Sequence, residues 1–213
     1  MSLEAIFQVL AITYLIGSIP TAYIIGRFKG INIFEIGSGN MGANNTARAL
    51  GIQWGVVVWL LDGFKGIFAL LIAGLLTTST NQAAAWVVGA IGVVLGHNWS
   101  LFATMLTGHV RGGKGAATAS GTWVLLVPPI LLAGVLMIWA LVVFLTRYMS
   151  LAVLTSVAVV SLYIVALAIL DQRDPIFLGY ILVAVMIFYR HRTNIRAIMA
   201  GTERRFGDRA KIN

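Results

Sequence analysis

The sequence predicts an all-α integral membrane protein with about seven transmembrane helices. Three observations carry this. The 213 residues are 59 % hydrophobic, with a mean hydropathy of +0.92. The apolar residues come in long unbroken runs, not in the short alternating segments of a transmembrane barrel. The basic residues, which bring the net charge to +8, border those runs, so a membrane fits better than a nucleic-acid partner. The whole length, 1–213, is taken up by one membrane domain.

Apolar runs lie at 5–26, 55–76, 83–105, 116–127, 129–146, 150–170 and 175–189. The first follows no positive n-region and no A-x-A site, so it is expected to be retained as a helix. Asp62 and Lys65 interrupt the second, and His97 falls near the end of the third. The stretch from Gly115 to Thr146 is free of charge and reads as one kinked helix or as two spans turning at Pro128-Pro129. The charge distribution favours two. Arg27, Lys29, Arg48, Arg111, Lys114, Arg147 and the basic tail then share one side, leaving Arg173 on the other. The expected orientation is N-terminus outside and C-terminus cytosolic. The fourth span is short, about 12 residues or ~18 Å at 1.5 Å per residue. Trp54, Trp86 and Trp99 near span ends read as interfacial anchors. No internal repeat of the transporter kind is visible.

The connections on the cytosolic side are the longer ones, which places the active site at that face. One of them reads Gly112-Gly113-Lys114-Gly115, preceded by His109 and Arg111. Consecutive glycines allow positive φ and turn N–H groups toward one point, and the lysine adds a compact cation. This describes a phosphate cradle, although a flexible turn between helices has the same composition. The spacing from Gly108 to Lys114 matches a nucleotide P-loop, but Gly115 stands where Ser or Thr would hold Mg²⁺, and no strand pattern precedes it. ATP binding is discarded.

An earlier connection reads Gly37-Ser38-Gly39-Asn40-Met41-Gly42-Ala43-Asn44-Asn45, then Thr46-Ala47-Arg48. Small residues let backbone approach a ligand, Ser38 and Asn40 offer hydrogen bonds, and Arg48 offers a phosphate fork. A capped polar turn is the plainer alternative. Asp62 and Lys65, three apart on one helix face, are expected to pair structurally, with support of the site as the second option. His97 reads first as a satisfied helix-end histidine, with shaping of the loop as the second reading. The last run ends in His191-Arg192-Thr193-Asn194-Ile195-Arg196, followed by Gly201-Thr202-Glu203. On a helix His191 and Asn194 share a face, and such a pair can orient a hydroxyl nucleophile. Arg204, Arg205, Arg209 and Lys211 read instead as contacts for anionic headgroups. Glu4 and Glu35 read as solvated.

Absent motifs narrow the chemistry. There are no cysteines, hence no disulfide or thiolate, and no H-E-x-x-H, carboxylate cluster or G-x-S-x-G. His109 is followed five residues on by Lys114, so the His-x-x-x-x-Asp arrangement of many glycerolipid acyltransferases is missing as well. Phosphate binding with a positioned hydroxyl remains. No metal and no cofactor are expected.

GSGNMGANN with Arg48, Gly96-His97 leading to GGKGAAT, and HRTNIRAIMAGTE stand in order along the chain, with Asp62-Gly63-Phe64-Lys65-Gly66 between the first two. In these motifs the sequence resembles the bacterial acyl-phosphate:glycerol-3-phosphate acyltransferases of PlsY type. It departs from that pattern in having Asn44 for the usual Thr and Ser100 for the usual Pro. The run between His97 and the glycine loop is also several residues longer than usual. The resemblance implies acyl transfer from acyl phosphate to the 1-hydroxyl of glycerol 3-phosphate in the bacterial inner membrane, by a monomer among membrane lipids. It also implies roles: Ser38, Arg48 and Lys114 on the acceptor phosphate, Asn40 with the Gly112 and Gly113 backbone on the donor phosphate, His191 and Asn194 on the glycerol hydroxyl. Asp62, Lys65, His97 and Glu203 would give structural support. A transporter or scramblase for organophosphates is the rival reading of the same basic loops.

Overall fold

The computed structural model describes residues 1–208, and these are mostly helical with no strand among them; the headgroup reading of Arg209 and Lys211 lies outside the described residues. The helices are α1 Leu3–Ser18, α2 Thr21–Phe28, α3 Ala43–Leu50, α4 Ile52–Leu75, α5 Gln82–Asn98, α6 Leu101–Thr107, α7 Ala116–Leu126, α8 Pro129–Thr146, α9 Met149–Ile169, α10 Ile181–Arg190 and α11 Arg192–Met199. A 3-10 segment, Pro175–Tyr180, leads into α10.

Every predicted apolar run is present as helix, but three are not continuous α-helix. The first breaks at Ile19–Pro20, because proline has no N–H to give and its ring obstructs the preceding turn. The third breaks at Trp99–Ser100, where the Ser100 hydroxyl accepts the Ala103 N–H at 3.0 Å and starts α6 in a new direction. The seventh opens as the 3-10 segment. The charge-free stretch resolves into α7 and α8, separated at Val127–Pro128 with Pro129 in the first turn of α8.

Among the described residues, five helices are long and apolar enough to cross a membrane, counting Leu3–Phe28 as one; a sixth results if Pro175–Arg190 and Arg192–Met199, bent by 57°, act together. The remaining run, α7, has 11 residues and is too short to do so alone.

Glycine sets the closest helix contacts. A Cβ at Gly17, Gly92 or Gly96 would collide with Val93, Thr13 or Tyr14 respectively, so α1 and α5 meet backbone to backbone. α4 and α7 do the same: a Cβ at Gly66 would strike the Thr118 carbonyl, and one at Gly121 the Gly63 carbonyl. In lipid, where no hydrophobic force drives helices together, such close van der Waals contact is what holds them. α8 is peripheral, with Val135 as its one buried residue, and rests on α9.

A buried ion pair joins these layers. Asp62 and Lys65 lie 2.7 Å apart, both nearly inaccessible. Lys65 Nζ also donates to the Ile19 carbonyl at 2.9 Å and the Gly17 carbonyl at 3.4 Å. Those carbonyls belong to the end of α1, where helix termini leave oxygens without intrahelical donors. The Pro20 break and the lysine of α4 therefore answer one another.

Candidate active site

Asn45, in the first turns of α3, organises the glycine-rich connection before it. Its Oδ1 accepts the Ser38 N–H at 2.9 Å, and its Nδ2 is within donating distance of the carbonyls of Ile36 and Asn40, both 3.0 Å, and of Ile33 at 3.2 Å. Gly37 and Gly39 supply the positive φ angles, 63° and 62°, that the turn requires. The folded connection delivers Asn40, whose Nδ2 lies 3.4 Å from the Gly112 carbonyl.

The Gly112–Gly115 loop is held differently from the expectation. Gly112 and Gly113 do not have positive φ; Gly108 and Gly115, which end α6 and begin α7, do. Gly112 and Gly113 are glycines because of close approach: a Cβ at Gly112 would enter the Asn98 carbonyl, and one at Gly113 would enter the His97 ring. The Gly113 N–H is already given to the His97 carbonyl at 2.8 Å. His97 therefore underlies the loop, with its Nδ1 3.5 Å from Lys65 Nζ and 3.8 Å from Asp62. On the opposite side Arg190 Nε donates to the Gly113 carbonyl at 2.9 Å, and its guanidinium lies over the Trp99 ring.

Held this way, Lys114 hydrogen-bonds the Asn194 Oδ1. Asn194 Nδ2 in turn donates to Glu203 at 2.8 Å, and the same carboxylate oxygen accepts the Ser150 hydroxyl at 2.6 Å. Glu203 is carried by the chain leaving α11, which is tied down at Phe206: its N–H meets the Arg147 carbonyl at 2.6 Å and its carbonyl accepts from the Arg147 guanidinium at 2.8 Å. His191 sits in the bend between α10 and α11, buried, with Nδ1 2.8 Å from the Ile187 carbonyl. A proton on Nδ1 makes that bond and leaves Nε2 as an acceptor in the neutral ring.

Burial pulls the Lys114 ammonium down to about 8, Glu203 partly opposes this, and Arg190, Arg48 and Arg204 pull it further. Arg48 is lowered as well, by burial and then by Arg204. Its Nε is buried and meets no hydrogen-bond partner among the described residues. Lys114, Arg48, Arg190 and Arg204 thus outnumber the carboxylates of Glu203 and Asp208 around them, an arrangement that favours a multiply charged anion.

Of the residues singled out from sequence, Lys114, Asn194 and Glu203 form one hydrogen-bonded chain, Asn40 joins Gly112, and Asp62, Lys65 and His97 support Gly113 from below. Among the described residues no hydrogen bond ties the side chains of Ser38, Arg48 or His191 into that chain, and Ser38 is exposed. Asn45, Ser150 and Arg190 were missed. Asn45 was visible only as the end of an amide-rich motif, and Arg190 only as one of several basic residues at a helix end.

The fold defines a multi-pass membrane protein in which the connections between helices bring Lys114, Asn194 and Glu203 together. A family profile described as Glycerol-3-phosphate acyltransferase matches residues 7–201, and the chain belongs to that family. Relatives named glycerol-3-phosphate acyltransferase include one from Rubrobacter xylanophilus, 38 % identical with 92 % of this chain and 93 % of the relative covered. Another, from Thermus thermophilus, is 39 % identical, with 95 % and 96 % covered. The crystal structure of PlsY (YgiH), an integral membrane glycerol 3-phosphate acyltransferase, is similar in its glycerol 3-phosphate form with a TM-score of 0.80 at 34 % identity, over 96 % of each chain. Its lysophosphatidic acid form gives a TM-score of 0.78 at the same identity and coverage.

Proposed function

We propose that this protein transfers an acyl group from an acyl phosphate to the 1-hydroxyl of glycerol 3-phosphate, yielding lysophosphatidic acid and inorganic phosphate. The site faces the cytosol from the bacterial inner membrane. The observation that carries the reading is the half-buried Lys114 amid Arg48, Arg190 and Arg204, with Glu203 opposing them. Such a pocket suits substrates that both bear phosphate.

Acyl phosphate is a mixed anhydride, already activated, so the protein need only position the reactants and stabilise charge. The glycerol oxygen attacks the acyl carbonyl carbon, a new C–O ester bond forms, and the C–O bond to phosphate breaks. The hydroxyl proton passes to a phosphate oxygen of the donor, and no acyl-enzyme forms. Lys114, Arg48 and Ser38 hold the acceptor phosphate; Asn40 and the Gly112 backbone face the donor. The Gly113 N–H, being engaged by His97, takes no part in that contact. The neutral His191 ring and Asn194 orient the attacking hydroxyl.

The test is turnover by purified protein in lipid with glycerol 3-phosphate and palmitoyl phosphate, following phosphate and lysophosphatidate together. Equimolar products, lost in Lys114→Ala, support the reading. Turnover with palmitoyl-CoA but not palmitoyl phosphate overturns the choice of donor, and a labelled acyl group trapped on the protein overturns the direct mechanism.

A further inference from the structure

The run between His97 and the glycine loop folds as an excursion closed at its base. The Ser100 N–H donates to the Arg111 carbonyl at 2.9 Å, and the Arg111 N–H to the Thr104 hydroxyl at 3.3 Å. Within the excursion α6 has two faces. Ala103 is fully buried with Ile33, Phe34 and Met41, and the Thr104 and Thr107 hydroxyls are satisfied by the carbonyls one turn back. The other face carries two i,i+4 pairs, Leu101 with Met105 and Phe102 with Leu106. Met105 is 72 % exposed and Leu106 59 %, and Val110 beyond them is 73 % exposed. A connection between membrane spans that met only water would gain nothing from such a stripe.

We propose that α6 is an interfacial helix, lying in the boundary between headgroups and acyl chains on the same side of the bilayer as the candidate site. Met105, Leu106 and Val110 would sit in lipid. Two observations select lipid as the occupant. The stripe continues the surface the spans offer to the bilayer: the Leu101 N–H donates to the Ser18 hydroxyl at 3.3 Å, Ile19 follows exposed, and α2 ends in Phe28, 86 % exposed. Cations lie close by: α2, whose Ala22 shares a buried cluster with Ala103 of α6, has the exposed Arg27 and Lys29 at its end. Apolar residues beside cations match an anionic membrane surface. The base of the excursion is also the start of the loop that holds Lys114, so the depth of α6 in lipid bears directly on that loop.

The chain has no cysteine, so single labels can be introduced cleanly. Spin labels on Met105→Cys and, separately, Val110→Cys would be measured in vesicles of phosphatidylethanolamine and phosphatidylglycerol, comparing collision with oxygen and with a water-soluble nickel chelate. Leu136→Cys on the exposed face of α8 calibrates lipid, and Thr80→Cys in an exposed polar turn calibrates water. The expected result, at both sites, is an oxygen-to-nickel ratio several-fold above that of Thr80 and below that of Leu136, which lies midway along α8. Ratios matching Thr80 overturn the proposal. So does shielding from both reagents, which would mean that protein covers the stripe.

Discussion

Asn45 does for the site what the motif residues alone could not, since it turns the connection that presents Ser38 and Asn40. Replacing it with alanine strands several buried polar groups, at about 1–3 kcal/mol for each left unsatisfied. Asn45→Ala is expected to lower the thermal midpoint in detergent and to raise the KM for both substrates, a pattern thermal unfolding and steady-state kinetics would reveal. Lys114 carries a second residue-scale prediction. With its ammonium at about 8, the free pocket loses its cation as pH rises through that value. Above about pH 7, where the substrate phosphate is a dianion, the KM for glycerol 3-phosphate should be flat to about pH 8 and climb toward about tenfold per unit beyond it, a rise that Lys114→Arg abolishes because a guanidinium does not titrate there. Folding shows the opposite sense: from about 8 toward the ordinary lysine value the unfolded chain holds a proton the folded chain has lost, so stability increases with pH across that window. At this scale the sequence announced Lys114, Asn194 and Glu203 through their motifs. It misassigned the reason for Gly112 and Gly113, because a glycine required by a neighbour's bulk looks the same in sequence as one required by its own φ.

Among elements, the glycine contacts and the Asp62–Lys65 pair hold the layers together. Gly121→Ala drives a Cβ into the Gly63 carbonyl, which backbone cannot evade cheaply. A destabilisation of about 1–3 kcal/mol or more is expected, visible as a lower unfolding temperature with α4 and α7 parted. Lys65→Met leaves the buried Asp62 carboxyl without its lysine partner and removes the donor to the end of α1. That should cost about 3–5 kcal/mol, much of it restored when Asp62→Asn is added. Thermal unfolding of the single and double variants checks this; equal losses in both would refute the pairing. The i,i+3 spacing made the pair itself legible. Its attachment to the Pro20 break was not, since the carbonyls concerned lie 46 and 48 residues away in the chain. For the same reason the runs 5–26 and 83–105 read as continuous: hydropathy measures what lipid tolerates, and a break sealed by Lys65 or Ser100 stays apolar enough to pass unseen.

Over the whole molecule, the apolar runs and their order were legible because the bilayer imposes a single strong rule on every span. The convergence of three connections was not, because nothing local in Lys114 encodes Asn194. The last segment closes the arrangement, and a chain ending at Arg205 loses the Phe206 clasp on Arg147 that steadies Glu203. Such a chain should still insert and bind glycerol 3-phosphate, but with kcat reduced several-fold, as turnover beside direct substrate binding would show. Lys114 and Asn194 stand 80 residues apart. A ribosome adding roughly 5–20 residues per second therefore takes on the order of 4–16 s to supply the second after the first. During that interval the nascent protein carries Lys114 without the Asn194 side chain it meets when folded. On the proposed function, a message cut short before Asn194 gives a membrane-inserted chain that lacks the partner of Lys114, and no partial turnover is expected from it.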